Sequence, residues 1–124
     1  MEQRLLRYLA ALDAAKTHSD EQIRTLAGEG RQDEANLEKI RRNVYDIFTA
    51  LANADAAQAR KESDPAEAFQ RIHTVRFDRF PEPWRQRQQK AAAHGDVVTQ
   101  TIEETKLKTV ARIWTAFQET EETL

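Results

Sequence analysis

The chain has 124 residues, of which 32% are charged, and Lys+Arg 19 against Asp+Glu 21 leave a net charge of -2. Leu, Ile, Val and Phe together number 25, about a fifth of the chain, close to the border below which sequences fail to fold for want of apolar surface. With no Cys, the composition excludes a disulfide scaffold, a zinc-cysteine site and a thiol nucleophile, and no run of about eighteen apolar residues is present to cross a membrane.

Only three Gly and three Pro interrupt a mixture rich in Ala, Glu, Gln, Arg and Leu, so the expectation is a single all-α domain with a thin core. Met1-Glu2-Gln3-Arg4-Leu5-Leu6 lacks the apolar core and cleavage site of a signal peptide, which makes the cytoplasm the expected setting.

From Glu2 to about Ala27, Leu5, Leu9, Leu12, Ala15, Ile23 and Leu26 recur at three- and four-residue steps and predict a helix. Ser19 with Gln22 has the form of a capping box, so a kink near residue 18 is one option, although no Gly or Pro interrupts the segment. Gly28-Glu29-Gly30 stops it, with Gly28 as the terminating residue. Asp33 is the expected cap of a second helix carrying Leu37, Ile40, Val44, Ile47, Phe48 and Leu51. Its stripe fades into Ala52, Ala54, Ala56, Ala57 and Ala59, which suit either an end beyond the core or the close approach of another helix.

Ser63-Asp64-Pro65 is the strongest boundary, with Ser63 read as the capping residue and Pro at the first helical position. The helix it opens presents Phe69, Ile72, His73, Phe77 and Phe80 and is ended by Pro81, since the residue before a proline disfavours helical dihedrals. Pro83 opens a short helix from Trp84 to about Ala93, its apolar residues being Trp84, Ala91, Ala92 and Ala93. His94-Gly95-Asp96 reads as stop, left-handed cap and new N-cap. The last helix runs from Val97 towards Leu124, and Val98, Ile102, Leu107, Val110, Ile113, Trp114 and Phe117 cover half its circumference, which predicts a central position. Three long helices plus a proline-broken third element, joined by short connections, predict an antiparallel up-down-up-down bundle over residues 1-124.

Few residues carry chemistry. A carboxylate-bridged metal pair in a bundle needs Glu-x-x-His, but Ala15, Gln70 and Ala91 precede His18, His73 and His94 by three. No metal site or cofactor is therefore expected, and no glycine-rich phosphate loop occurs. Both serines, Ser19 and Ser63, are accounted for as caps. His73 alone lies on an apolar face, as a boundary histidine bonded to a neighbour or as an acid or base in a pocket. Glu103-Glu104 and the acidic end, Glu119, Glu121 and Glu122, read as solvated faces, because adjacent helical residues point about 100° apart.

Between residues 71 and 90, Arg71, Arg76, Arg79, Arg85, Arg87 and Lys90 stand against Asp78 and Glu82, with Phe77, Phe80 and Trp84 interleaved. One account is structural: the aromatics pin the Pro-Glu-Pro corner, and the arginines lie outside it, some paired with the acidic C-terminal turn. The other makes Arg76, Arg79, Trp84, Arg85 and Arg87 a binding surface for an acidic ligand or single-stranded nucleic acid, the cations neutralising phosphates and the ring stacking on bases. A sequence pI near 5.9 and the absence of a nucleic-acid motif weigh against nucleic acid.

Gly30-Arg31-Gln32-Asp33-Glu34-Ala35, Asn43-Val44-Tyr45-Asp46-Ile47-Phe48, Pro83-Trp84 and His94-Gly95-Asp96 together resemble a family of small uncharacterised all-helical bacterial proteins. The resemblance implies a helical fold in a bacterial cytosol, and no activity. The reading of the whole is a non-catalytic structural or protein-interaction module. Long helices around few large side chains leave apolar edges on the last helix and on the alanine-lined end of the second, which a homodimer would cover.

Overall fold

A computed structural model describes residues 1-121, and those residues form five helices: α1 (Glu2–Gly28), α2 (Gln32–Ala59), α3 (Pro65–Arg79), α4 (Glu82–Ala93) and α5 (Val97–Glu119). Glu122 and the expected continuation of α5 to Leu124 lie outside the described residues. The fold is an all-α bundle in which α3 and α4 are two limbs of one bent element.

The antiparallel pairing of α1 and α2 is recorded in their side chains. Glu2 meets Arg60 at one end, and Lys16, Ser19 and Asp20 meet Asp46, Glu38 and Arg42 towards the other. α1 runs unbroken through residue 18, and Ser19 is no cap: it is buried within the helix and donates to Glu38 Oε1 at 2.8 Å. A helix-starting signature is overridden where the side chain finds a partner on the neighbouring helix. The left-handed residue after α1 is Gly30, at φ 74°, two residues after Gly28, the glycine expected to stop the helix.

α2 begins at Gln32, so Asp33 sits in its first turn facing the positive end of the dipole and makes no capping bond. At the start of α3 the cap is Asp64, whose carboxylate accepts from the Glu67 N–H at 3.2 Å, in place of Ser63. Pro65 at the first helical position fixes that assignment, because the cap must immediately precede it. The bend between α3 and α4 is tighter than the proline suggests. Phe80 keeps helical dihedrals, φ -63° and ψ -43°, although it precedes Pro81, and its ring is held edge-on to Phe48 and Trp84. The tertiary contact outweighs a modest local preference. Gly95 (φ 69°) and Asp96, which accepts from the Thr99 N–H, make the turn into α5.

The central helix is α2, which packs against α1, α3 and α5, whereas α5 packs chiefly on α4 and α2. Part of the wide apolar stripe of α5 stays at the surface. α2 and α5 run parallel across the bundle and approach closely through small side chains, with Thr105 and Thr109 buried and their hydroxyls returned to the carbonyls of Thr101 and Thr105. Ala52, Ala56 and Ala59 are fully buried, so one face of the alanine end of α2 is part of the core, while Ala54 and Ala57 are exposed. In α4 only Trp84 and Ala91 are buried, while Ala92 and Ala93 face outward.

The core is unevenly distributed. Tyr8, Phe48, Phe69, Phe77 and Phe117 fill the end formed by the start of α1, the end of α2, α3 and the end of α5. At the opposite end Ile23, Leu26, Leu37, Ile40 and Ile102 are only half-buried, and Val97 and Val98 are exposed. Replacing Asp64 by Ala is expected to cost about 1 kcal/mol and Ser63 by Ala less than about 0.5 kcal/mol, measured by urea unfolding. Equal losses at the two positions would contradict the capping assignment.

Candidate functional site

His73 projects from the middle of α3 into the packed end of the bundle and is 0% exposed. Its Nδ1 lies 2.9 Å from Asp55 Oδ2, and its Nε2 2.8 Å from the Tyr8 hydroxyl. A carboxylate can only accept, so Nδ1 carries the proton, Nε2 accepts, and Tyr8 donates. Arg76 completes the chain, donating to Asp55 from Nε at 3.1 Å and from Nη2 at 2.7 Å. The imidazole is stacked on Phe69 at 5.4 Å and met edge-on by Phe77 and Phe117.

Burial holds the His73 pKa below its ordinary value, against the pull of the Asp55 carboxylate. Burial also pushes the Asp55 carboxyl up, but the hydrogen bonds from Arg76 and His73 together outweigh it and keep the group below the usual carboxylate range. The Tyr8 hydroxyl is driven up, mostly by burial and then by Asp55. The group is thus a neutral imidazole between a phenol and a carboxylate, with both ring nitrogens engaged. It borders none of the clefts described below. Of the two readings of His73, the bonded histidine matches this geometry, and the surrounding rings close over the imidazole where a pocket would lie.

The basic segment is dispersed. Arg76 is tied to Asp55, Arg87 to Glu103 at 3.4 Å, and Arg71 to Glu62 and Glu67. Arg85 donates to Glu82 and to the carbonyls of Asp78 and Phe77. Arg85 and Arg87 are two helical positions apart and leave α4 on opposite sides. Arg79 is exposed and shares a shallow cleft with Val75, Arg76 and Phe80. Trp84, 8% exposed, packs inward against Phe80 with Lys106 over its ring, and presents no free face for a base. The arginines find their carboxylates on α2, in the α2–α3 connection, on α3, on α4 and on α5, and no pairing with Glu119 or Glu121 occurs among the described residues.

Glu103 also departs from expectation. It is 3% exposed, its Oε1 is met by Lys106 and Arg87, and its Oε2 has no hydrogen-bond partner among the described residues. Glu104 does lie near the surface, paired with Lys108. Among the described residues, no group of three or more His, Cys, Asp or Glu is placed to hold a metal ion, and no helix is long and apolar enough to cross a membrane.

Two clefts with apolar floors bear on function. A groove of about 650 Å³ lies between α3, α4 and α5, floored by Phe77, Leu107, Val110 and Trp114. A second cleft, about 350 Å³, separates α2 from α5 at the thin end of the bundle, where Leu37, Ile40 and Ile102 meet Val97 and Val98, 68% and 72% exposed. The first was not legible as a site, since apolar residues at helical spacing read as core. The second takes one wall from the stripe of the last helix that the sequence already marked as an apolar edge. Compared with protein-family models, curated proteins and solved structures, the chain matches none.

The buried chain through His73 makes a clear pH prediction. The unfolded imidazole takes a proton near pH 6.5 and the native one only at lower pH. Stability is therefore complete above about pH 6.5 and falls as the pH drops below it, with a further loss below about pH 3.8 as Asp55 is protonated. Urea midpoints are expected to fall between pH 7.5 and 5, and a flat profile would contradict the buried neutral imidazole. Tyr8→Phe, which strands Nε2, is expected to cost about 1–2 kcal/mol.

Proposed function

We propose that this chain is a non-catalytic protein-interaction module of the cytoplasm that pairs with a second copy of itself through the open end between α2 and α5. The observation that carries the reading is the aliphatic cleft there. Two consecutive valines in the first turn of α5 stand in solvent beside Leu37, Ile40 and Ile102, while the same two helices are tightly closed at their other ends. Apolar side chains gathered in one cleft, as opposed to scattered singly, mark an association surface.

Charge favours a second copy as the occupant. Asp33 borders the cleft at the start of α2. An adjoining cleft, sharing Ile40, is bordered by Lys39 and Lys106. The seam thus runs from an acidic end to a basic end over an aliphatic middle. Two copies related by a two-fold axis lay such a strip antiparallel, so that Asp33 of each faces Lys39 of the other.

Light scattering coupled to size exclusion is expected to give twice 14.3 kDa at micromolar concentration. Val98→Asp is expected to yield a folded monomer, because the side chain contributes nothing to the closed core. Asp33→Lys is expected to weaken pairing, and Asp33→Lys with Lys39→Asp to restore it. A monomeric parent protein, or a Val98→Asp variant that still pairs, overturns the reading.

A further inference from the structure

We propose that the groove between α3, α4 and α5 is a binding site for an organic cation with an aromatic or alkyl body. Its floor is apolar: Phe77, 9% exposed and flanked by Phe48 and Phe117, closes it from below, and the half-buried Trp114 meets Phe77 at 63° with centroids 4.9 Å apart and is the ring nearest solvent. About 650 Å³ is the size of a small-molecule site, and such sites combine an apolar floor with a few polar groups that fix orientation.

The sign of the ligand follows from what the rim has already spent. Arg85 borders the groove, but its Nη1 is committed to Glu82 at 2.8 Å and to the Asp78 carbonyl at 2.7 Å, and its Nη2 to the Phe77 carbonyl at 3.1 Å. Its charge is answered by Glu82 and three of its five N–H donors are held by Glu82 and the last turn of α3, which makes it the weaker determinant of the groove's sign. The Asp78 carboxylate lines the same groove, is exposed, and has no hydrogen bond or ion pair among the described residues. Gln88 and Gln89 on the facing wall are neutral. The groove therefore carries one carboxylate without a partner, Asp78, beside the half-buried indole of Trp114, and an indole attracts cations. An ammonium on an apolar body satisfies both features, whereas a carboxylate meets Asp78 as a like charge.

The groove shares no lining residue with the α2–α5 seam, and its test is independent of pairing. The intact ¹⁵N-labelled chain is titrated with 3-phenylpropylammonium, 3-phenylpropanol and 3-phenylpropanoate, which share a body and differ in charge. Saturable shifts are expected at the Trp114 indole and at the amides of Asp78, Gln88 and Ala111 for the ammonium. The alcohol is expected to bind three- to tenfold more weakly, and the carboxylate not to saturate. Asp78→Asn, a surface change, is expected to reduce the ammonium to the alcohol's affinity, and Ala111→Trp, which fills the groove from an exposed position, to abolish both. Equal binding of ammonium and alcohol, stronger binding of the carboxylate, unchanged affinity in Asp78→Asn, shifts mapping elsewhere, or no saturable shift overturns the proposal.

Discussion

The arrangement of the helices depends on a buried chain of polar contacts that joins three of them at one point. Tyr8 of α1, Asp55 of α2 and His73 of α3 share two hydrogen bonds, both shorter than 3 Å, with Arg76 closing the carboxylate from outside. Each member needs the others, since a carboxylate, an imidazole or a phenol buried alone costs more than a satisfied one gains. A one-residue slip of any helix rotates its side chain by about 100° and breaks the chain. Apolar packing among alanines and phenylalanines tolerates small displacements; this chain does not, and it fixes the register in which α1, α2 and α3 meet.

The same end of the molecule takes most of the large side chains, and this explains the openness of the other. With only about a fifth of the residues in Leu, Ile, Val and Phe, rings concentrated around His73 leave the far end of the bundle to half-buried aliphatics. There the α1–α2 and α4–α5 hairpins are held largely by polar pairs, Ser19 with Glu38 and Arg87 with Glu103 among them. The bend at Pro81 adds a second opening, because α3 and α4 diverge and expose the face of α5 that carries Leu107 and Trp114.

Helix periods, proline and glycine positions were legible in the sequence, and the all-α bundle followed from them. The Asp96 cap and the left-handed Gly95 were readable because one local rule acted without competition. Where a partner from another helix competed, the local reading failed. Ser19 gave up a capping role for Glu38, Phe80 stayed helical before a proline, and Glu103 was drawn inward between Lys106 and Arg87. His73 was legible as unusual, but its partners were not, since Tyr8 lies 65 positions away and Asp55 lies 18. Nothing along the chain marks two distant polar residues as sharing a proton. The dispersal of the arginines was equally hidden, because it depends on carboxylates of four different elements and one connection.

The imbalance between the two ends also shapes how the native molecule fluctuates. Amide groups exchange with solvent through local openings whose free energy follows the packing around them. The first turns of α2 and α5 and the last turn of α4 can separate while the ring-filled end remains intact, so their amides exchange at a lower opening free energy than those flanking Tyr8, Asp55 and His73. The bundle behaves as a clamped fork, rigid at the handle and compliant at the tines, and an occupant of the tines is felt first as slowed exchange there.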